Sequence, residues 1–169
     1  MKKVSIVGTT SWGTTLAMVL ARNGFQVVLL ARTSDEAMGL ERDKENKRML
    51  PGYHFPENIL VTASKDEALS DSSMVVFAVP SKSLRDNLRS LSYQIESDSM
   101  IVSATKGLEK GSAKRMSQIM SEELSGGLHA KICVLSGPNL ANEIASGKPA
   151  STVIASEDEE VAIQAQSLF

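Results

Sequence analysis

The chain of 169 residues has one cysteine, Cys133, which excludes an internal disulfide and any multi-cysteine metal site. It has no basic excess. Eighteen lysines and arginines stand against 20 aspartates and glutamates, a formal charge of −2, so nucleic-acid binding by phosphate neutralisation is disfavoured. No apolar run reaches the roughly 18 residues of a membrane span. Histidine is scarce: His54 lies in a proline-rich stretch and His129 beside glycines, too isolated for a metal site and expected at the surface. No G-x-S-x-G elbow supports acyl hydrolysis, and no G-x-x-x-x-G-K-[ST] supports a P-loop. The opening MKKVSIVGTT has the basic start and short apolar run of a signal peptide. Gly8 breaks that run, and the segment reads as a first strand. These absences leave one domain, with the cytoplasm as its default compartment.

What is present is an alternation. Apolar, β-branched runs at 3–7, 26–31, 59–63, 73–79, 99–104, 131–135 and 151–155 predict strands. Several are continuously apolar, as in strands covered on both faces. Helical patterns fall at 13–23, 33–48, 64–70, 81–94, 112–124, 138–146 and 157–168, with Gly24 as a C-cap. The fold class is therefore α/β, a doubly wound, mostly parallel sheet with helices on both faces. The stretch 50–58, LPGYHFPEN, reads as a loop. The acidic run EDEE at 157–160 suits the first turn of the last helix. Cys133, between Ile132 and Val134, reads as a core thiol.

The first strand runs into Gly8, Thr10 and Gly13, close to G-x-G-x-x-G. Two glycines alone can make a tight strand–helix turn. After a first strand and before a helix, they also fit a dinucleotide loop, with the pyrophosphate on the helix N-terminus. Thr10 stands where the second glycine lets the backbone approach that group. Its side chain adds bulk there, or its hydroxyl donates to a phosphate oxygen; the expectation is retained but weaker binding. Arg32, 19 residues past Gly13, lies where the adenosine ribose is read. An arginine there can pair with the 2′-phosphate of NADP; a surface arginine is the plainer alternative, and Asp35 is close enough to complicate the choice. The expectation is NADP preferred and NAD tolerated.

Four segments carry a resemblance. GTTSWGTTLA (8–17), NKRMLPG (46–52), SATKGLE (103–109) and LSGPNLANEIASGKPAST (135–152) together resemble bacterial NAD(P)-dependent glycerol-3-phosphate dehydrogenase in its N-terminal, cofactor-binding half. The resemblance implies cofactor contacts at Ser11 and Trp12, adenosine-ribose positions at Arg32 and Thr33, and the nicotinamide side at Pro80 and Ser81. It implies that Lys106 meets both cofactor and substrate, Gly137 and Asn139 meet substrate, and Ala141 meets cofactor. Read by themselves, Lys106 at a sheet edge can hold a phosphate or stay a solvated loop lysine. Asn139 can bind a ligand or cap the next helix. Met49 stands where the family often has tyrosine, and no contact is carried to it.

The resemblance further implies a small phosphorylated substrate and, at full length, is compatible with a homodimer. The family's general acid/base lysine and helical substrate domain fall beyond Phe169, so residues 1–169 are expected to be a single NAD(P)-binding domain. Two other readings stay open: the cofactor half of another two-domain hydroxy-acid dehydrogenase, and a non-catalytic nucleotide sensor.

Overall fold

A computed structural model describes residues 2–169. The strands are β1 (Lys3–Val7), β2 (Gln26–Leu30), β3 (Ile59–Thr62), β4 (Ser72–Phe77), β5 (Met100–Ser103), β6 (Ile132–Ser136) and β7 (Val153–Ser156). They form one sheet in the order β3-β2-β1-β4-β5-β6-β7, parallel except for β7, which runs antiparallel to β6. The helices are α1 (Ser11–Arg22), α2 (Ser34–Asp43), α3 (Lys65–Leu69), α4 (Ser81–Leu91), α5 (Met116–Glu123), α6 (Ala141–Ala145) and α7 (Glu159–Gln166). None is long and apolar enough to cross a membrane.

Strand residues alternate between two apolar layers, which explains the continuous apolar runs. Val4, Ile6, Val27, Leu29, Met74 and Val76 face one layer with Leu16, Leu20 and Leu40. Val7, Val28, Leu30, Val75 and Phe77 face the other with Leu84, Leu88 and Ile119. Each such buried side chain contributes about 1.5–3 kcal/mol. Cys133 is buried in the first layer, as expected, and both histidines are exposed.

Helix ends are where the sequence reading is corrected. The pattern at 33–48 predicts one helix, but α2 stops at Asp43. Lys44 adopts the left-handed region (φ 46°), and the chain turns so that Asn46 is buried. The pattern at 112–124 begins only at Met116, because residues 109–114 form a turn closed by Glu109 N–H to Lys114 O (2.9 Å) and Ala113 N–H to Glu109 O (3.0 Å). The helix expected at 138–146 shrinks to five residues, since 138–140 bring Asn139 into the interior. Gly24 closes α1 through its N–H to Ala21 O (3.0 Å). Asp158 caps α7, with Glu159 and Glu160 in its first turn.

Winding reverses between β1 and β4, the central pair. The carboxyl ends of these two strands open a crevice, the place where such sheets bind ligands.

Candidate functional site

Gly8 leaves β1 with φ +112°, a conformation that L side chains rarely adopt. A Cβ there would stand 2.9 Å from the Ala78 carbonyl. A Cβ on Gly13 would stand 2.1 Å from the Gly8 carbonyl, so α1 packs onto the turn only because position 13 lacks a side chain. These two glycines shape the turn and bring the first turn of α1 over the crevice.

Thr10 behaves differently from the sequence expectation. Its hydroxyl donates to Ala78 O (2.8 Å) and accepts from Gly13 N–H (3.0 Å), making Thr10 the N-cap of α1. Its single proton is already used, so it is not the phosphate donor weighed above. The threonine ties the loop to the end of β4. The Thr14 N–H bonds the Thr10 carbonyl (2.9 Å). Among the described residues, the Ser11 and Trp12 N–H groups have no protein acceptor and stand free at the positive end of a twelve-residue helix.

A second brace comes from the loop after α2. Asn46, 3% exposed, donates from Nδ2 to Thr9 O and to Thr14 Oγ1, both at 2.9 Å, and accepts the Met49 N–H (3.2 Å). Glu36 accepts from Thr9 Oγ1 (2.8 Å), from the Arg32 backbone N–H (3.2 Å) and from Arg48 Nη2 (3.1 Å). Thr33 caps α2, accepting Glu36 N–H at 3.2 Å. Asn46, Glu36 and Arg48 were not singled out from the sequence. Asn46 and Arg48 both lie inside the NKRMLPG segment, and the T-S-D-E spacing at 33–36 is a helix-start signal. Nothing local linked Arg48 to Glu36.

Two adjoining clefts share Thr10, Val79 and Pro80. The larger, about 510 Å³, reaches from Gly8 to Arg32, Arg48 and Met49. The smaller, about 330 Å³, holds Ser11, Trp12, Lys106, Asn139 and Ala141. One groove thus gathers Gly8, Thr10, Ser11, Trp12, Arg32, Pro80, Lys106, Asn139 and Ala141. Thr33 lies in a shallower recess beside Arg32. Gly13 and Gly137 line neither cleft and act from beneath. A Cβ on Gly137 would stand 2.7 Å from Asn139 Nδ2 and 2.9 Å from Ser151 O.

Lys106 follows β5 on an exposed turn. Its Nζ lies 5.6 Å from the Trp12 ring centroid and donates to the Asn139 carbonyl at 3.4 Å. The aromatic face attracts the cation without neutralising it. Asn139 donates to Thr152 Oγ1 (2.7 Å) and does not cap α6, whose N-cap is Leu140 with no side-chain bond. The capping alternative is thereby overturned.

The turn beyond Lys106 is fixed by charge. Arg85 grips Glu109 with two hydrogen bonds (2.6 and 2.9 Å) and also bonds Glu122 (2.8 Å) and Glu123. The guanidinium holds the Glu109 carboxyl at about 2, well below the usual carboxylate range; the Ser112 hydroxyl adds to this.

A doubly wound sheet, a glycine turn at its switch point and free helix N–H groups define a dinucleotide-binding domain. Comparisons narrow the class. The profile described as "NAD-dependent glycerol-3-phosphate dehydrogenase N-terminus" matches residues 3–162, and the chain belongs to this family. It is 48% identical over its whole length to a glycerol-3-phosphate dehydrogenase [NAD(P)+] of Dehalococcoides mccartyi, covering 47% of that protein. It is 46% identical over 159 residues to one from Corynebacterium glutamicum, covering 94% of this chain and 48% of that protein. The crystal structure of glycerol-3-phosphate dehydrogenase from Coxiella burnetii superposes with a TM-score of 0.90 at 30% identity, over 99% of this chain and 50% of that one. The chain spans about half the length of the curated relatives it matches.

Proposed function

We propose that this chain is the cofactor-binding part of an sn-glycerol-3-phosphate dehydrogenase. The activity is reversible hydride transfer between NAD(P)H and dihydroxyacetone phosphate, giving glycerol 3-phosphate for phospholipid synthesis. One observation carries the reading: a single groove joins the free N–H end of α1 to Arg32 on one side and Lys106 on the other.

The residues fit the cofactor. Gly8 lets the turn pack against Ala78 and bring the helix end over the crevice, where the Ser11 and Trp12 N–H groups hold a pyrophosphate. Arg32 and Thr33 hold the adenosine ribose, while Pro80 and Ala141 flank the nicotinamide side. When bound, the nicotinamide supplies the hydride chemistry, and the protein supplies orientation and charge. Lys106 is a compact point charge for a substrate oxygen or phosphate. Asn139 and Gly137 shape the wall behind it. The family resemblance assigns proton transfer to a lysine C-terminal to Phe169, in a substrate domain that completes the enzyme. We place the enzyme in the cytoplasm and expect a homodimer at full length.

Two measurements test this. Titration of residues 1–169 with NADPH and with NADH, followed by Trp12 fluorescence, should show saturable binding. The same chain should show no significant oxidation of NADPH by dihydroxyacetone phosphate, whereas the full-length gene product should. Binding without turnover by the full-length protein would favour the nucleotide-sensor reading; turnover only with another hydroxy- or keto-acid would favour the other dehydrogenase reading.

A further inference from the structure

The adenosine end of the groove carries a feature that the cofactor reading leaves unused. Four cationic side chains line the larger cleft: Arg32, Arg48, Lys65 and Lys82. Glu36 is the single carboxylate among the lining residues. It is held in place by donors from three parts of the fold: the Thr9 hydroxyl of the glycine loop, the Arg32 backbone N–H after β2, and Arg48 Nη2 from the loop after α2. The Glu36 side chain is 18% exposed and the Arg48 side chain 70% exposed. The carboxylate is therefore fixed at the cleft wall, while the guanidinium stands at its mouth with N–H groups to spare. Such an exposed pair adds little to stability. What it sets is the charge met by a ligand entering beside Arg32.

We infer that the Glu36–Arg48 pair determines the choice between a 2′-phosphate and a free 2′-hydroxyl on the adenosine ribose. This rests on the proposal that the groove holds NAD(P)(H). With Arg48 in place, the carboxylate is neutralised, and Arg32 and Arg48 together accept a phosphate. Without Arg48, Glu36 becomes an unpaired anion that repels a phosphate and accepts a hydrogen bond from a hydroxyl. Without the Glu36 charge, Arg48 turns wholly to the phosphate. The pair thus permits both cofactors, and each partner biases the choice in the opposite direction. Arg32 alone cannot give this two-way behaviour, because its charge acts only in favour of phosphate.

The test measures dissociation constants of NADPH and NADH by fluorescence titration, without turnover, for the 169-residue chain and for R48A, R48K and E36Q. R48A should weaken NADPH about tenfold and NADH less than about threefold, the scale of one lost charge-assisted hydrogen bond. R48K should recover part of the NADPH affinity. E36Q should shift the NADPH-to-NADH preference toward NADPH by several-fold. Arg48 is exposed and the glutamine is isosteric; a melting curve for each variant checks folding, and should E36Q not fold, R48A and R48K decide. Equal losses for both cofactors, or a shift of E36Q toward NADH, would overturn the inference and reduce the pair to a loop tie. If the unmodified chain binds neither cofactor at millimolar concentration, the dinucleotide reading itself fails, and this inference with it. If both bind but no variant alters their ratio, only this inference fails.

Discussion

At the glycine-loop end of the groove, the Thr9 and Thr10 hydroxyls and the side chains that brace the loop are already bonded to protein. Thr10 holds Ala78 and Gly13, Asn46 holds Thr9 and Thr14, and Glu36 holds Thr9 and Arg32. At the other end, Lys106 rests on an aromatic face and one carbonyl, and the turn that carries it is anchored at a distance by Arg85. The first end is built from close, directional contacts around buried backbone. The second is an exposed lysine on a turn that a half-buried ion cluster anchors. The pyrophosphate contacts proposed at the first end fall to backbone N–H groups, which cannot be mutated away; the proposed contacts to the adenosine ribose and to substrate fall to the side chains of Arg32, Arg48 and Lys106. Substitutions in the glycine loop and its buried braces should therefore cost stability, and those of the exposed Arg48 and Lys106 should cost function.

The largest expected effect is at Gly13. The Cβ of Gly13→Ala would meet the Gly8 carbonyl at 2.1 Å, and backbone must move. Overpacking of this severity costs about 3 kcal/mol, which lowers the melting temperature by about 6–12 °C for a chain of this size. At the other end, Gly137→Ala presses first on a side-chain amide, Asn139 Nδ2 at 2.7 Å. It should cost about 1–2 kcal/mol. Equal melting temperatures for the two variants would break the comparison. Asn46→Ala comes next. It leaves Thr9 O and Thr14 Oγ1 unpaired in the interior and should cost about 2 kcal/mol in denaturant unfolding, while loosening NADPH binding.

The Lys106 side should respond to acid instead. The folded Glu109 carboxyl titrates at about 2, against 4.5 for the free group. Between those values the unfolded chain binds more protons, so stability rises with pH across the window. The contribution is complete above about pH 4.5 and is lost as pH falls toward 2. Replacing Arg85 by methionine should flatten this part of the stability–pH profile, read by chemical denaturation at a series of pH values. An unchanged profile would show that the Arg85 cluster does not set the acid response.

The sequence discloses the sheet more fully than the groove, for a physical reason. Strands covered on both faces leave continuous apolar runs, and each expected strand appears within two residues of its observed bounds. Gly8, Gly13 and Arg32 are legible because backbone geometry and spacing are local properties. The end of α2 is not, because Lys44 turns left-handed to bury Asn46, and the acceptors of the Asn46 amide N–H groups lie over 30 residues away. The same holds for Glu36 and Arg48, twelve residues apart and joined only by that turn. Thr10 shows the limit from the other side: its substitution for glycine is visible in the sequence, but the inward direction of its hydroxyl depends on Ala78, across the sheet.

The smallest effect on stability, and the sharpest separation of the two ends, is expected at Lys106. The side chain is exposed, its hydrogen bond to the Asn139 carbonyl is long, and a cation–π contact at an exposed site contributes only about 0.5–1 kcal/mol. Lys106→Met keeps most of the apolar stem over Trp12 and loses only the cation–π contact and that long hydrogen bond, so unfolding free energy should change by less than about 1 kcal/mol. In the proposed site the pyrophosphate is held at Ser11 and Trp12, apart from the ammonium, so NADPH affinity of the 169-residue chain should fall less than about threefold. If the proposed dehydrogenase function holds, the same substitution in the full-length protein should reduce kcat/KM for dihydroxyacetone phosphate by about 100-fold or more, the scale of a charge-assisted contact to a phosphorylated substrate in a desolvated site. A comparable loss in NADPH affinity and in turnover would show that Lys106 serves the cofactor as much as the substrate. A loss of folding would mean that Trp12 and Lys106 form a structural pair, and the division between the two ends would fall.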